Sequence, residues 1–159
     1  MNPIEIIEYR AEHQPYFEKF NRDWIELYFW LEEVDKYVLR HPEGAILQNG
    51  GAILMATYNG EIAGTVALRK VNNFYEFTKM AVDTAYRRKG IAEALSYAAF
   101  ERAKRLGATK VILYSNRVLT PAITMYRKLG FKEVPIENDI YQRSDIKMEI
   151  ELREVKVPV

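Results

Sequence analysis

The chain contains no cysteine, which excludes disulfides and thiolate metal sites. Its two histidines, His13 and His41, stand far apart with no ligand spacing around them, so no metal is implied. Neither sign of charge is in excess. The 23 Lys plus Arg and 22 Asp plus Glu leave a formal net charge of +1, too weak a field to grip nucleic acid or an anionic membrane. No apolar run is long enough to span a bilayer. The first residues, Met1-Asn2-Pro3-Ile4-Glu5, lack the basic and apolar regions of a secretory signal, and a cytoplasmic location is expected. Repeats, low-complexity stretches and linker-like segments are also missing, so residues 1–159 read as a single domain.

What is present is apolar patterning. Hydrophobic residues make up 48% of the chain and aromatics 13%, ample for one packed core. Ile4 to Tyr9 alternates as a short strand. From Pro15 to Leu31, Phe17, Phe20, Trp24, Leu27, Tyr28 and Leu31 recur at helical spacing. A shorter helix is expected over Val34 to Leu39, broken by His41-Pro42-Glu43-Gly44. After Gly50-Gly51, three strands follow at Ala52 to Tyr58, Ile62 to Arg69 and Phe74 to Val82. Asn59-Gly60 and Asn72-Asn73 supply the turns. A helix from Gly90 to Leu106 turns Ile91, Leu95, Ala98, Ala99 and Ala103 inward, and Gly107 ends it. Lys110 to Tyr114 reads as a buried strand. The next helix takes Thr120 as its cap, Pro121 as its first residue and Gly130 as its stop. Phe131 to Val134 is a strand, Pro135 to Ser144 a loop, and Ile146, Met148, Ile150 and Leu152 alternate as the last strand. The order predicts an α/β (α+β) fold with a mixed sheet of about seven strands and helices on both faces.

The chemistry concentrates where the strand ending Met80-Ala81-Val82 runs into Arg87-Arg88-Lys89-Gly90-Ile91-Ala92 and then a helix. A strand that stops at a basic, glycine-containing loop and turns into a helix presents unpaired amides at the positive end of a helix dipole. A pyrophosphate fits there. Gly90 admits close approach of the main chain, and the three cations add charge-assisted hydrogen bonds. The pattern is neither a P-loop nor a dinucleotide fingerprint, because it has no Lys-Ser or Lys-Thr and lacks the three glycines.

Together with a second motif, this stretch resembles the GNAT superfamily of N-acetyltransferases over roughly Ala52 to Leu152. The first motif is similar to the family's Gln or Arg, two residues, Gly, one residue, then Gly or Ala. The second is Asn116 with the run Pro121 to Phe131, whose Ala122, Tyr126 and Gly130-Phe131 match the family's Asn, Ala, Tyr, Gly-Phe signature. The resemblance implies a GNAT fold with an acetyl-CoA cosubstrate and transfer of acetyl to a primary amine by direct attack in a ternary complex. It further implies that Met80, Ala81 and Val82 offer backbone groups to the pantetheine arm, that Asn116 bonds it or orders a water, and that Tyr126 is the general acid.

The residue chemistry fits. An alkylamine with a pKa of about 10.4 is only about 0.1% neutral or less at pH 7, so a base is needed. Glu76, on the strand leading to the cradle, is the candidate, directly or through a water. A departing thiolate leaves more easily if a phenol such as Tyr126 donates to it. By the same resemblance the acceptor wall lies on the aromatic, acidic helix, where Trp24, Tyr28 and Glu32 share a face and predict a preference for cationic amines. The alternative is a non-catalytic acyl-CoA-binding module, which Tyr126 argues against. A homodimer is expected from the family resemblance and the apolar last strand.

Overall fold

The computed structural model describes residues 2–136 and 143–155. Strand β1 (Ile4–Glu8) leads through a short turn into helices α1 (Gln14–Tyr28) and α2 (Glu33–Arg40) and a π-helical turn at Glu43–Leu47. Strands β2 (Ala52–Tyr58), β3 (Glu61–Val71) and β4 (Phe74–Val82) follow, then α3 (Ile91–Arg105), β5 (Lys110–Ser115), α4 (Thr120–Leu129), β6 (Lys132–Val134) and β7 (Ile146–Glu151). They form one seven-stranded sheet in the order β1-β2-β3-β4-β5-β7-β6. Every neighbouring pair is antiparallel except β4 with β5. The mixed sheet expected from the sequence is therefore present.

The turns set the registers. Asn59 and Gly60 both take positive φ, 49° and 85°, and close β2 on β3 with Tyr58 opposite Glu61. A side chain with a β-branch could not accept either position cheaply. The alternation of each strand then divides the apolar residues between two faces. Leu54, Val66, Leu68, Tyr75 and Phe77 pack with Leu95 and Phe100 of α3 and Leu129 of α4. On the opposite face Ile53, Met55 and Ala67 pack with Phe17 of α1 and Val38 and Leu39 of α2. Helices thus cover both faces.

Several boundaries differ from expectation. Helix α1 stops at Tyr28, because Glu32 must be extended (ψ 161°) to cap α2, where the Asp35 carboxylate accepts the Glu32 N–H. Thr120 does not cap α4; it is the first helical residue, and Leu119, with no side-chain cap, holds the cap position. The Leu119 carbonyl already accepts from Ile123, so the helix begins one residue early. Ala98 is only half-buried, while Phe100 takes the inward place. Leu152 leaves the last strand for a single 3-10 turn. Of the expected loop Pro135 to Ser144, residues 137–142 lie outside the described residues. Strand β7 sits between β5 and β6, paired with β5 along its whole length and with β6 from Lys147 to Glu149, so the strand on which association was expected is internal to the sheet.

Candidate active site

The sheet opens at its centre. Strands β4 and β5 pair in parallel at only two places, Tyr75 with Val111 and Glu76 with Ile112. Beyond Glu76 they diverge, and β5 continues to Ser115 with only β7 as its partner. Among the described residues, main-chain groups of β4 that face this gap, in the stretch containing Met80, Ala81 and Val82, have no sheet partner there, and buried amides need one. An extended arm carrying its own amides could satisfy them. On its other edge β4 bulges against β3: Thr65 pairs with Ala81 but Ala67 with Thr78, so Lys79 and Met80 together oppose Val66. Lys79 holds φ 54° at the bulge.

At the end of β4 the chain reaches the cradle. Gly90 caps α3 in the left-handed region at φ 84°, and Arg88 just before it has φ 62°. The first helical bond runs from the Ala94 N–H to the Gly90 carbonyl, 3.1 Å. The amides from Gly90 to Glu93, including Ile91 and Ala92, therefore have no acceptor within the helix. Arg87, Arg88 and Lys89 are exposed, and the Lys89 ammonium lies 5.6 Å from the Tyr58 ring centroid. A Cβ on Gly90 would meet no atom within 4 Å, so the dihedral requires glycine and the space outside is open to an anion. Gly90→Asp combines backbone strain with a negative charge at the dipole's positive end. It is expected to weaken CoA binding about tenfold or more by calorimetry; an unchanged affinity would place the phosphates elsewhere.

Helices α3 and α4 flank a shallow cleft lined by Glu93, Tyr97, Pro121, Thr124, Met125 and Lys128. Ala122 is half-buried on α4. Tyr126, on the same helix, is 9% exposed and stands edge-on to Phe77 (5.9 Å) and Phe131 (5.8 Å). Phe77 is the first residue of β4 past the last pairing with β5, so the phenol belongs to the mouth of the gap. Burial pushes the Tyr126 hydroxyl up to about 12. Among the described residues nothing hydrogen-bonds to it. A phenol so placed is protonated at neutral pH and can donate.

Glu76 lies on the opposite face of β4 from Tyr75 and Phe77, toward α1 and α2. It is 1% exposed. Its Oε1 accepts from Arg69 Nε at 2.8 Å and lies 2.7 Å from Nη2 in an ion pair, and among the described residues its Oε2 has no hydrogen-bond partner. A short way along β4, Lys79 Nζ donates to Asp35 Oδ1 at 2.9 Å, with both side chains buried. Arg143 closes the cluster, donating Nη2 to Asp35 Oδ1 at 2.9 Å and Nη1 to Glu32 Oε2 at 3.0 Å. Burial works to raise the Asp35 carboxyl, but the Lys79 charge and the bonds from Arg143 and Lys79 outweigh it and hold the group below the ordinary carboxylate range.

The remaining expected residues are distributed unevenly. Trp24 is half-buried, with Nε1 3.4 Å from Asn21 Oδ1, and Tyr28 is exposed. Glu32 is paired with Arg143, which removes the reason for expecting it to select cationic amines. Asn116 donates Nδ2 to the Arg143 carbonyl at 2.6 Å and accepts the Val118 N–H at 2.9 Å, so its amide closes its own turn and fixes the backbone that carries Arg143. Sequence reasoning missed Arg69, Lys79 and Arg143. The available signal was Lys79 itself, a lysine inside an otherwise apolar run. Among the described residues no group of three or more His, Cys, Asp or Glu side chains gathers, and no helix is long and apolar enough to cross a membrane.

A mixed sheet split beside a helix N-terminus that presents free amides is an arrangement able to take an extended ligand that ends in an anion. The Acetyltransferase (GNAT) family model matches residues 7–131, and the chain belongs to that family. A GNAT acetyltransferase from Staphylococcus aureus Mu50 superposes with a TM-score of 0.84 at 23% identity, over 94% of this chain and 99% of that one. YncA from Salmonella typhimurium, solved with its cofactor acetyl-CoA, gives 0.75 at 17% identity and 99% of both chains. N-acetylaspartate synthetase from Xenopus tropicalis is 31% identical over 108 residues, 67% of this chain but 37% of that protein's own length. The chain thus spans little more than a third of that curated relative.

Proposed function

We propose that the protein is a cytoplasmic N-acetyltransferase that moves an acetyl group from acetyl-CoA to a primary amine by direct attack within a ternary complex. The observation that carries this reading is the gap between β4 and β5, with Tyr126 at its mouth on one face and the open oxygen of Glu76 on the other. When bound, acetyl-CoA supplies the activated thioester. Arg87, Arg88, Lys89 and the amides of Gly90, Ile91 and Ala92 hold the pyrophosphate. The backbone of Met80, Ala81 and Val82 takes the pantetheine arm and can polarise the carbonyl under attack, with Ala122 beside it on α4. Glu76 Oε2 takes the proton that the ammonium must lose. As the new carbon–nitrogen bond forms and the carbon–sulfur bond breaks, Tyr126 delivers its proton to sulfur; the second proton shed by the nitrogen returns through water to the Tyr126 oxygen, and Glu76 releases its proton to solvent. Trp24 and Tyr28 contribute apolar surface on the acceptor side. Asn116 serves this site through Arg143, and Glu32 does so through the same cluster.

The name of the Xenopus relative, whose product is an N-acetylated amino acid, favours a small-molecule acceptor over a protein. A screen of amines with acetyl-CoA, read as free-thiol release, tests the reading. Coenzyme binding without thiol release from any amine would establish the non-catalytic module in its place. Glu76→Gln keeps the shape and removes the base; turnover is expected to fall about 10² to 10⁴-fold, with the Michaelis constant for acetyl-CoA little changed. Retained turnover would transfer the proton to water alone.

A further inference from the structure

We propose that the acceptor carries a carboxylate beside its amine and that Arg69 is the group that reads it; this rests on the acetyltransferase reading above. Arg69 and Glu76 are direct cross-strand partners on the face covered by α1 and α2. Both contacts of the guanidinium, through Nε and Nη2, fall on the one oxygen Oε1. Two groups are left over. Among the described residues neither Glu76 Oε2 nor Arg69 Nη1 has a hydrogen-bond partner, and the two belong to the same locked pair. One accepts from an ammonium, and the other donates to an anion.

Exposure separates their roles. The Glu76 side chain is 1% exposed and that of Arg69 32%, so the carboxylate is recessed while the guanidinium reaches outward, held by its hydrogen bond and ion-pair contact with Glu76 Oε1. An Arg so fixed loses little freedom when it takes a carboxylate. Because both groups belong to one residue pair, the fitting ligand carries its amine and its carboxylate close together on a small molecule. The other charges nearby do not contradict this. Lys79 and Arg143 face Asp35 and Glu32, two cations against two carboxylates that answer one another. With Arg69 and Glu76 added, the six described groups sum to zero, and a zwitterion meets such a set at lower electrostatic cost than a dication or a dianion does. The substrate class is a small free amino acid.

The test uses the wild-type enzyme at saturating acetyl-CoA, with L-alanine, β-alanine and L-aspartate compared against L-alaninamide and ethylamine. The best amino acid is expected to exceed its uncharged-end counterparts about 10 to 100-fold in kcat/KM, since a site built to bond a carboxylate leaves its donors unpaired without one. Arg69→Gln should collapse that ratio toward one by raising KM for the amino acid about tenfold or more. It should leave KM for ethylamine and for acetyl-CoA within about twofold. Turnover falls for both acceptors because Glu76 loses its holder, so the ratio is the readout. Arg69→Lys, which keeps charge without the fork, should fall between. Should Arg69→Gln not fold, the wild-type comparison still decides. Equal kcat/KM for amino acid and amide overturns the inference and leaves the acetyltransferase standing. Absence of thiol release with every amine overturns the reading beneath it, and the inference with it.

Discussion

Tyr126→Phe is expected to lower turnover by about 10 to 10⁴-fold while leaving affinity for acetyl-CoA nearly unchanged. The substitution removes only an oxygen. The ring keeps its edge-on contacts with Phe77 and Phe131 at 5.9 and 5.8 Å, and since no described residue bonds to the hydroxyl, nothing is left unpaired. Loss of activity with retained binding is therefore the signature of a proton donor. The pH profile sharpens it. With burial holding the phenol at about 12, the donor stays protonated throughout neutral and mildly alkaline pH, and the parent should show no alkaline fall in turnover from this group below about pH 11. Stability responds with the opposite timing. The folded state binds this proton more tightly than the unfolded chain, so its contribution is intact below about pH 10 and is lost as pH rises toward about 12. Alkaline melts of the Phe variant should decline less steeply than those of the parent. Equal turnover in the two proteins would remove Tyr126 from the chemistry.

Asp35→Asn should produce the largest loss of stability. The substitution preserves shape and hydrogen-bonding size but removes the charge facing Lys79 Nζ and the Arg143 guanidinium. Breaking a buried pair by removing one partner costs about 3 to 5 kcal/mol. At about 2 to 4 °C per kcal/mol for a chain of this size, the melting temperature should fall by roughly 6 to 20 °C. Removing both members costs less. Asp35→Leu combined with Lys79→Met is expected to melt above Asp35→Asn, because Arg143 keeps Glu32 and no ammonium is stranded. The depressed Asp35 carboxyl also sets an acid limit. Its contribution is present above the unfolded carboxylate pKa of about 3.9 and is lost as pH falls through the lower folded value. A shift in melting temperature of under about 2 °C in Asp35→Asn would show that the cluster is balanced without it.

The local parts of the fold were legible because short-range physics decides them. A two-residue turn fixes the register of a hairpin, and reading outward from Asn72-Asn73 pairs Val71 with Phe74, Lys70 with Tyr75 and Arg69 with Glu76, as the structure has them. The partner of the proposed base was therefore available from the turn, although the sequence reading stopped short of that step. The cradle was legible for the same reason, since a strand, a basic glycine loop and a helix are contiguous. The hidden parts are those joined across the chain. Asp35 meets Lys79 over 44 residues and Arg143 over 108. No periodicity announces such meetings. The bulge that turns Lys79 toward Asp35 interrupts the alternation from which facing is read, and Glu32 looked available to a ligand only because Arg143 was not yet beside it.

The two-residue join between β4 and β5 makes the sheet a pair of leaves, four strands in one and three in the other. So short a seam cannot by itself hold the leaves in register. The rings of Phe77, Phe100 and Phe131, with centroids 5.7 to 6.4 Å apart, act as the rivet on the α3 and α4 side. On the function proposed above, an arm with amides entering the seam would bond to the open margin of β4 and become, in hydrogen-bonding terms, an eighth strand. The donor would then do more than occupy a cleft: it would finish the sheet, and the length of arm that fits would be set by how far the two leaves have parted.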